Sequence, residues 1–210
     1  LCEVLDADVH DVANAMGQDG RISEKFLHPG PGFGGSCFPK DLEALLAISK
    51  NNSLSMETVN AAIIVNKNQK KRMENKLINL FDGNINNRKI AVLGLAFKAN
   101  TDDVRESPAI DIIKGILGNG GIVNAHDPIA NNEMSKIFHD IEYFDNVYDA
   151  VKNVDGIVII TEWNEFRSLD LQKIKKIMKG NIILDTRNIL DMDALSSLGF
   201  VYDNIGRIKK

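Results

Sequence analysis

The sequence predicts an α/β protein in which a helical region is followed by a doubly wound parallel sheet. From Lys89 onward, short β-branched runs alternate with helical patterns, and this order builds parallel sheets with helices on both faces. Before Lys89 the apolar spacing is helical and is interrupted by a Gly- and Pro-rich stretch. With 44% hydrophobic and 26% charged residues in 210, the chain has enough apolar material for a sizeable core.

The first sixteen residues carry an apolar pattern of helical spacing, formed by Leu1, Val4, Leu5, Val9, Val12 and Met16. No capping residue precedes this pattern and the sequence does not start with Met. We therefore expect the sequence to be the C-terminal part of a longer protein. The stretch PGPGFGG, residues 29–35, is too rich in Gly and Pro for a regular element and predicts a loop.

Two helices are predicted after this loop. The first runs from about Cys37 to Lys50, because Pro39 and Asp41 suit a first helical turn and leucines follow at helical spacing. The second is long, from about Ser55 to Phe81, with Gly83 as its C-cap. Gly and Asn cluster after it, which predicts a domain boundary between residues 1–85 and residues 86–210.

The sequence of residues 86–210 predicts alternating strands and helices. The predicted strands are KIAVLG (89–94), GIVNA (121–125), VDGIVII (154–160), NIILD (181–185) and GFVYD (199–203). The predicted helices begin at Ser107 with Pro108 and lie near residues 131–138 and 170–178. This alternation predicts a Rossmann-like domain.

Charge and composition exclude several partners and compartments. A net charge of −4 and a pI near 5.6 argue against nucleic-acid binding, which needs a basic face. No apolar run approaches the roughly 18 residues that span a membrane. Two cysteines in a chain of this length predict free thiols and a cytoplasmic location. The spacing of the cysteines and of the four histidines predicts no metal site.

The turn after the first strand lacks the GxGxxG dinucleotide fingerprint, since Gly94 is followed by Ala96, Phe97 and Lys98. Lys98 and Arg105 would lie at the carboxyl edge of the sheet, where doubly wound folds bind ligands, and would suit a phosphate. The alternative is that Lys98 is a solvated loop charge and that Arg105 pairs with Asp102 or Glu106.

Cys37 is the candidate nucleophile. It follows a glycine loop and lies at a predicted helix N-terminus, where the partial positive charge favours a thiolate. Asp41 follows one turn later on the same helix face, and its carboxylate would activate a water molecule. The alternative is that this cysteine is a small buried hydrophobic residue.

Five segments together resemble the UDP-glucose/GDP-mannose dehydrogenase family. They are FLHPGPGFGGSCFPKD (26–41), GLAFKANTDDVRESPAIDI (94–112), HDP (126–128), TEWNEF (161–166) and DTRN (185–188). The first is similar to the family's active-site segment, and the others are similar to its UDP-binding domain. Phe38 and the TEWNEF segment resemble the branch of the family that oxidises UDP-glucose.

The resemblance implies a reaction in which NAD takes two hydrides in succession from C6 of the sugar, giving UDP-glucuronate. Cys37 would hold the intermediate as a thiohemiacetal and then as a thioester, and Asp41 would assist its hydrolysis by water. NAD would be bound mainly by an N-terminal domain outside this sequence, as would the family's catalytic Lys and Asn. We therefore expect the 210 residues alone to be inactive.

The resemblance also assigns binding roles. Substrate contacts would come from Arg21, Phe26, Phe33, Gly34, Phe97, Lys98 and Arg187. Arg21 would reach into the site of a neighbouring subunit, Arg187 would lie near the uridine, and Arg105 would contact the phosphates of the cofactor. The family's central helix implies a homodimer through the helix from Ser55 to Phe81. The alternative is that this helix belongs to the core of a single chain.

Two other functions are compatible with the sequence and a third is not. One is a non-catalytic module for UDP-sugar binding and dimerisation, and another is a dehydrogenase of the GDP-mannose type. A cysteine-dependent acyl hydrolase is excluded because no histidine is placed as a partner for Cys37.

Overall fold

A six-stranded, all-parallel sheet forms the centre of the protein in a computed structural model that describes residues 1–207. Its spatial order is β3-β2-β1-β4-β5-β6, so the chain starts in the middle, moves to one edge and then crosses to the other. The strands are β1 (Lys89–Leu93), β2 (Ile122–His126), β3 (Glu142–Tyr143), β4 (Gly156–Ile159), β5 (Ile182–Asp185) and β6 (Val201–Asp203). The predicted doubly wound, Rossmann-like fold is confirmed.

Ten α-helices accompany the strands within the described residues. They are α1 (Cys2–Leu5), α2 (Val9–Gly17), α3 (Phe38–Asn51), α4 (Glu57–Leu80), α5 (Pro108–Gly118), α6 (Asn131–Ser135), α7 (Val147–Ala150), α8 (Asn164–Arg167), α9 (Leu171–Ile177) and α10 (Met192–Ser197). The segment Glu24–Phe26 forms a single 3₁₀ turn. Every element predicted after Lys89 is present, and β3, α7, α8 and α10 are additional.

The sheet is covered on both faces by apolar clusters. Along β1, Ile90 and Val92 belong to the cluster that also contains α4 and α5, whereas Ala91 and Leu93 belong to the cluster that contains α8 and α9. Alternate side chains of a strand point to opposite faces, which explains this division. Because both faces are buried, the strands read as continuous apolar runs in the sequence.

The long helix α4 links the helical region to the sheet. In its C-terminal half Met73 and Leu77 are fully buried in the core beside β1 and α5, as the single-chain alternative requires. In its N-terminal half Ile64 and Val65 are 51% and 64% exposed. The predicted domain boundary at residue 85 stays a prediction, and all strands lie beyond it.

The helical pattern at the start of the chain is divided between two helices. Asp6 adopts a left-handed conformation with φ 51°, which ends α1, and the Asp8 side chain accepts a hydrogen bond from His10 N to begin α2. Asp is well suited to both positions, and the apolar periodicity across them concealed the break. Cys2 on α1 is half-buried.

Glu3 ties α1 to the rest of the molecule. Its carboxylate accepts a hydrogen bond from Gly206 N at 2.8 Å and pairs with Lys76 at 3.1 Å and with Arg72. Burial acts to raise the pKa of Glu3, but the hydrogen bond and the two cations outweigh it. The pKa is therefore lowered below its ordinary value of 4.5.

We expect Glu3→Gln to destabilise the protein by about 1 kcal/mol at pH 7, because the pairs of a partly solvated carboxylate are screened. Since the folded-state pKa is depressed, the stabilisation is complete above pH 4.5 and disappears as the pH falls through the folded-state value. Chemical unfolding at several pH values measures this difference. A difference that persists at pH 2, or an equal effect of Glu24→Gln at an exposed position, would contradict it.

Candidate functional site

The glycine-rich loop of residues 29–35 lies on the turn that follows β1 and on the start of α5. Gly35 N donates to Arg105 O at 2.8 Å. A Cβ on Gly34 would lie 2.2 Å from Glu106 O, and a Cβ on Gly35, whose φ is +87°, would lie 2.8 Å from the Phe97 ring. The glycines are therefore required for the close approach of two segments about seventy residues apart.

Cys37 lies at the end of this loop and forms the N-cap of α3. The thiol is exposed, and its Sγ is 3.6 Å from Ser36 Oγ. Cys37 O accepts the hydrogen bond from Asp41 N at 2.8 Å, so the predicted first turn is present. The Asp41 side chain is 66% exposed and 3.5 Å from Lys40 Nζ. The structure thus presents the thiol and the carboxylate on the first turn of one helix.

Arg105 lies close enough to Cys37 for their charges to interact. Its guanidinium pairs with Asp103 at 2.8 Å, so the alternative pairing with Asp102 or Glu106 is wrong. The pKa of Arg105 is raised above its ordinary value. The largest cause is the hydrogen bond to Asp103, the next is the charge of Asp103, and the charge of Cys37 makes a smaller contribution. Arg105 therefore carries its charge, in a pair with Asp103, on the turn that the glycine loop contacts.

The turn after β1 is held by a buried carboxylate. Asp127 Oδ2 accepts hydrogen bonds from Leu95 N at 2.7 Å, from Ala96 N at 3.1 Å and from Trp163 Nε1 at 3.0 Å. Thr161 Oγ1 donates to Ala96 O at 2.6 Å. In a dinucleotide-binding fold the backbone N–H groups of this turn would face a pyrophosphate. Here Asp127 occupies two of them, so this turn does not fit NAD.

Phe97 and Lys98 extend beyond the held part of the turn. The Phe97 ring is half-buried beneath Gly35, and the Lys98 side chain is exposed with its Nζ 5.4 Å from the centre of that ring. This ammonium group lies at the carboxyl edge of the sheet, as predicted. Its charge is available to an anion there.

Arg187 lies beyond β5 and reaches back toward the same edge. Its Nε donates to Ile160 O at 2.6 Å and is 3.0 Å from Glu162 Oε2, and a Cβ on Gly30 would meet its Nη1 at 3.0 Å. Burial lowers the pKa of Arg187, opposed by the charges of Glu162 and Asp185. The structure therefore brings Arg187 against the glycine loop.

Three other predicted substrate contacts are Arg21, Phe26 and Phe33. Arg21 is exposed and pairs with Asp19 in its own turn at 2.6 Å. Phe26 is 93% exposed. Phe33 is half-buried, with its ring 4.7 Å from that of Phe38. Substrate roles for these residues stay predictions.

Two sets of residues that shape the site were given no role in it from the sequence. Asp127 and Trp163 hold the turn after β1. They belong to the HDP and TEWNEF segments, whose resemblance to the UDP-binding domain was the one indication in the sequence that they lie near the site. Asn66 and Gln69 of α4 hold the glycine loop, but they stand in a polar stretch that reads as a solvated helix face. Both residues are more than thirty positions from the loop in the sequence, so no local pattern indicates the contact.

Residues 1–207 contain neither a metal-binding cluster nor a membrane-spanning helix. Within that range no cluster of three or more His, Cys, Asp or Glu side chains is arranged to hold a metal ion. None of the helices described combines the length and the apolar character needed to cross a membrane.

We expect iodoacetamide to label Cys37 faster than Cys2 near pH 7. Cys37 is exposed, at a helix N-terminus and near Arg105, whereas Cys2 is half-buried. Mass spectrometry of peptides from a time course measures both rates in one sample. Equal rates would show that the surroundings of Cys37 do not activate it.

Two family models match the chain. The central domain of the UDP-glucose/GDP-mannose dehydrogenase family matches residues 1–68. The UDP binding domain of the same family matches residues 91–192. The two matches follow one another in the chain and together cover most of it.

Curated relatives match nearly the full chain. It is 44% identical over 207 residues to UDP-glucose 6-dehydrogenase of Rhizobium meliloti (strain 1021), covering 99% of this chain and 47% of that enzyme. It is 43% identical over 208 residues to the UDP-glucose 6-dehydrogenase TuaD of Bacillus subtilis (strain 168), covering 99% and 45%. The chain therefore spans about half the length of the curated relatives it matches.

Solved structures agree in fold. A UDP-glucose dehydrogenase from Pyrobaculum islandicum superposes with a TM-score of 0.83 at 30% identity, covering 98% of this chain and 45% of that one. An NDP-N-acetyl-D-galactosaminuronic acid dehydrogenase from Methanosarcina mazei Go1 gives 0.88 at 28% identity, with 99% and 46% covered.

Proposed function

The chain belongs to the UDP-glucose/GDP-mannose dehydrogenase family, and from this we propose that it supplies the nucleotide-sugar site and the nucleophilic cysteine of an NAD-dependent UDP-glucose 6-dehydrogenase. The observation that carries the proposal is the contact of the glycine loop with the turn after β1. This contact brings an exposed thiol close to the ligand-binding edge of the sheet.

The UDP group would bind at this edge. Lys98 is exposed there and would pair with a phosphate or sugar oxygen, while the half-buried Phe97 ring offers an apolar surface. Arg187 is held by Ile160 O and Glu162, and so would present its guanidinium in a fixed orientation near the uridine.

Cys37 would act on the sugar. Its Sγ would add to C6 at the aldehyde level to give a thiohemiacetal, and the thioester formed by oxidation of that carbon would be hydrolysed by water. Asp41, exposed one turn along α3, would accept a proton from this water.

NAD would supply the hydride acceptor. Asp127 fills the backbone donors of the turn after β1, so the cofactor would be bound mainly by a domain other than the two matched in this chain. Arg105 is exposed and would be the contribution of this chain to the cofactor phosphates.

UDP-glucose is the proposed sugar nucleotide because relatives with that name are 43–44% identical to the chain. The alternative is another nucleotide sugar. The ternary complex of GDP-mannose dehydrogenase from Pseudomonas aeruginosa superposes with a TM-score of 0.68 at 25% identity. Competition between UDP-glucose and GDP-mannose for the same site distinguishes the two.

A homodimer and a cytoplasmic location complete the proposal. The N-terminal half of α4 exposes Ile64 and Val65, which a second copy of the chain would cover. Light scattering at micromolar concentration tests this, and a monomer would favour the single-chain alternative. The cytoplasmic location rests on Cys2 and Cys37, which are both free thiols.

We expect the purified chain to bind UDP-glucose in calorimetry and Lys98→Ala to weaken that binding roughly tenfold, because one charge-assisted contact is lost. The control Lys152→Ala removes an exposed charge elsewhere in the same domain. Unchanged affinity in Lys98→Ala would remove this side chain from the site.

The same sample tests the non-catalytic alternative. We expect no NADH from UDP-glucose and NAD, because an unoriented cofactor forfeits a proximity contribution of about 7–11 kcal/mol. Steady NADH production would overturn the proposed location of the NAD site.

A further inference from the structure

We propose that one face of α4 is a clamp that sets the position of Cys37, and that Asn66 and Lys70 of this face are positioning residues for the thiol. We define the α4 clamp as Asn66, Gln69 and Lys70. The inference deepens the proposed function, since it rests on Cys37 acting at the edge of the sheet. Asn66 and Gln69 bond to the backbone of the glycine loop, and Lys70 bonds to the backbone of the turn that carries Arg105.

Asn66 holds the glycine loop through both of its polar atoms. Phe33 N donates to Asn66 Oδ1 at 2.7 Å, and Asn66 Nδ2 donates to Phe33 O at 3.0 Å. The amide thus satisfies both backbone groups of a residue four positions before Cys37. Gly32 is pressed against the same side chain, since a Cβ there would lie 2.7 Å from Asn66 Oδ1 at a φ of +119°. The loop therefore fits Asn66 in one position only.

Gln69 adds a second attachment near the start of the loop. Its Nε2 donates to Gly30 O at 2.9 Å. Residues 66 and 69 are three apart and share a helix face, so the two amides hold the loop along one line. The loop segment between Gly30 and Phe33 is thereby fixed to α4 at both ends.

Lys70 attaches the other side of the site to the same helix. Its side chain is 10% exposed, and its Nζ donates to Glu106 O at 3.2 Å and pairs with Asp111 at 3.0 Å. Glu106 has a φ of 52°, an uncommon conformation for a residue with a side chain. Glu106 O is also the atom that Gly34 approaches. A buried ammonium group between two carboxylates thus fixes the turn on which the glycine loop lies.

The α4 clamp therefore holds the glycine loop that leads to Cys37 against the turn that carries Arg105. Asn66 and Gln69 fix the loop that precedes the thiol, and Lys70 fixes the residue that follows Arg105. Because all three stand on one rigid helix, the two segments keep their separation without a direct side-chain bond. Loss of the clamp would release the loop that leads to the thiol from this turn.

The test is the rate of Cys37 alkylation by iodoacetamide at pH 7 in the purified chain without nucleotide. We expect Asn66→Ala and Lys70→Met to slow it about threefold, because the loop that leads to Cys37 is then no longer held against the turn that carries Arg105. The matched controls Asn75→Ala and Lys67→Met change exposed side chains of the same helix and should leave the rate unchanged. Lys70→Arg keeps the cation and should restore most of the rate.

Cys2 serves as an internal reference, because a variant that merely loosens the whole molecule would change its labelling as well. Rates at Cys37 that match wild type in both Asn66→Ala and Lys70→Met would overturn the proposal. A loss at Lys70→Met that Lys70→Arg fails to restore would also count against it. Failure of UDP-glucose to protect Cys37 in the wild-type chain would contradict the proposed function alone, since the clamp is read without nucleotide.

Discussion

Gly94→Ala is expected to destabilise the protein by about 3 kcal/mol or more. Gly94 has a φ of +92°, and a Cβ there would lie 2.5 Å from both Thr161 Cβ and Thr161 N. The new methyl group would meet a buried backbone that the sheet holds in place, and the left-handed conformation adds its own strain. For a chain of about this size the loss corresponds to a melting temperature roughly 6–12 °C lower.

Thermal unfolding followed by circular dichroism measures this change. Gly118→Ala is the control, because it adds the same methyl group at the end of α5 where no atom lies within 4 Å. We expect the control to melt at or slightly above the wild-type temperature, since alanine is the better helix former. If the two variants melted together, the turn after β1 would have to be more adaptable than its contacts with Thr161 indicate.

The elements predicted correctly are those whose local signals agree with their burial. In β1 and β4 every position from Ile90 to Leu93 and from Gly156 to Ile159 is buried, which gives continuous apolar runs. Ser107 caps α5 as its sequence predicts, through a hydrogen bond from Ala109 N to its hydroxyl. The edge strand β3 has two residues and so carries almost no periodicity.

The start of the chain shows where periodicity misleads. Leu5 and Val9 are four residues apart, the spacing of one helix face, yet Asp6 and Asp8 end one helix and begin another between them. Val4 is 80% exposed, so its apolar character does not report burial within this chain. Capping chemistry outweighed the apolar pattern here.

The sequence predicts which side chains the site contains, but not how the chain brings them together. The chemical types of Cys37, Lys98 and Arg187 indicated a nucleophile and an anion site. Their proximity depends on hydrogen bonds between distant segments, such as Gly35 N to Arg105 O and the Asn66 side chain to Phe33. Such contacts leave no local pattern in a single sequence, because each partner is an ordinary polar group.

Gly34→Ala is expected to have the largest effect on binding, with UDP-glucose affinity reduced by about tenfold or more. Its Cβ would lie 2.2 Å from Glu106 O and 2.8 Å from Glu106 C, so the loop would have to leave the turn that carries Arg105. Lys70 holds that turn and Asn66 holds the loop, so the two segments can separate only by breaking one of these attachments. A displacement of about 1 Å at a site of this kind costs on the order of 10²-fold in rate where the chemistry needs alignment.

The loop lies outside both apolar clusters, so Gly34→Ala should change the melting temperature far less than Gly94→Ala does. Calorimetric titration with UDP-glucose and thermal unfolding of the same sample separate the two effects. Gly20→Ala is the matched control, because a Cβ there meets no atom within 4 Å and should leave both quantities unchanged. Wild-type affinity in Gly34→Ala would show that UDP-glucose does not need the loop to lie on this turn, and the site would then have to be sought on the α/β domain alone.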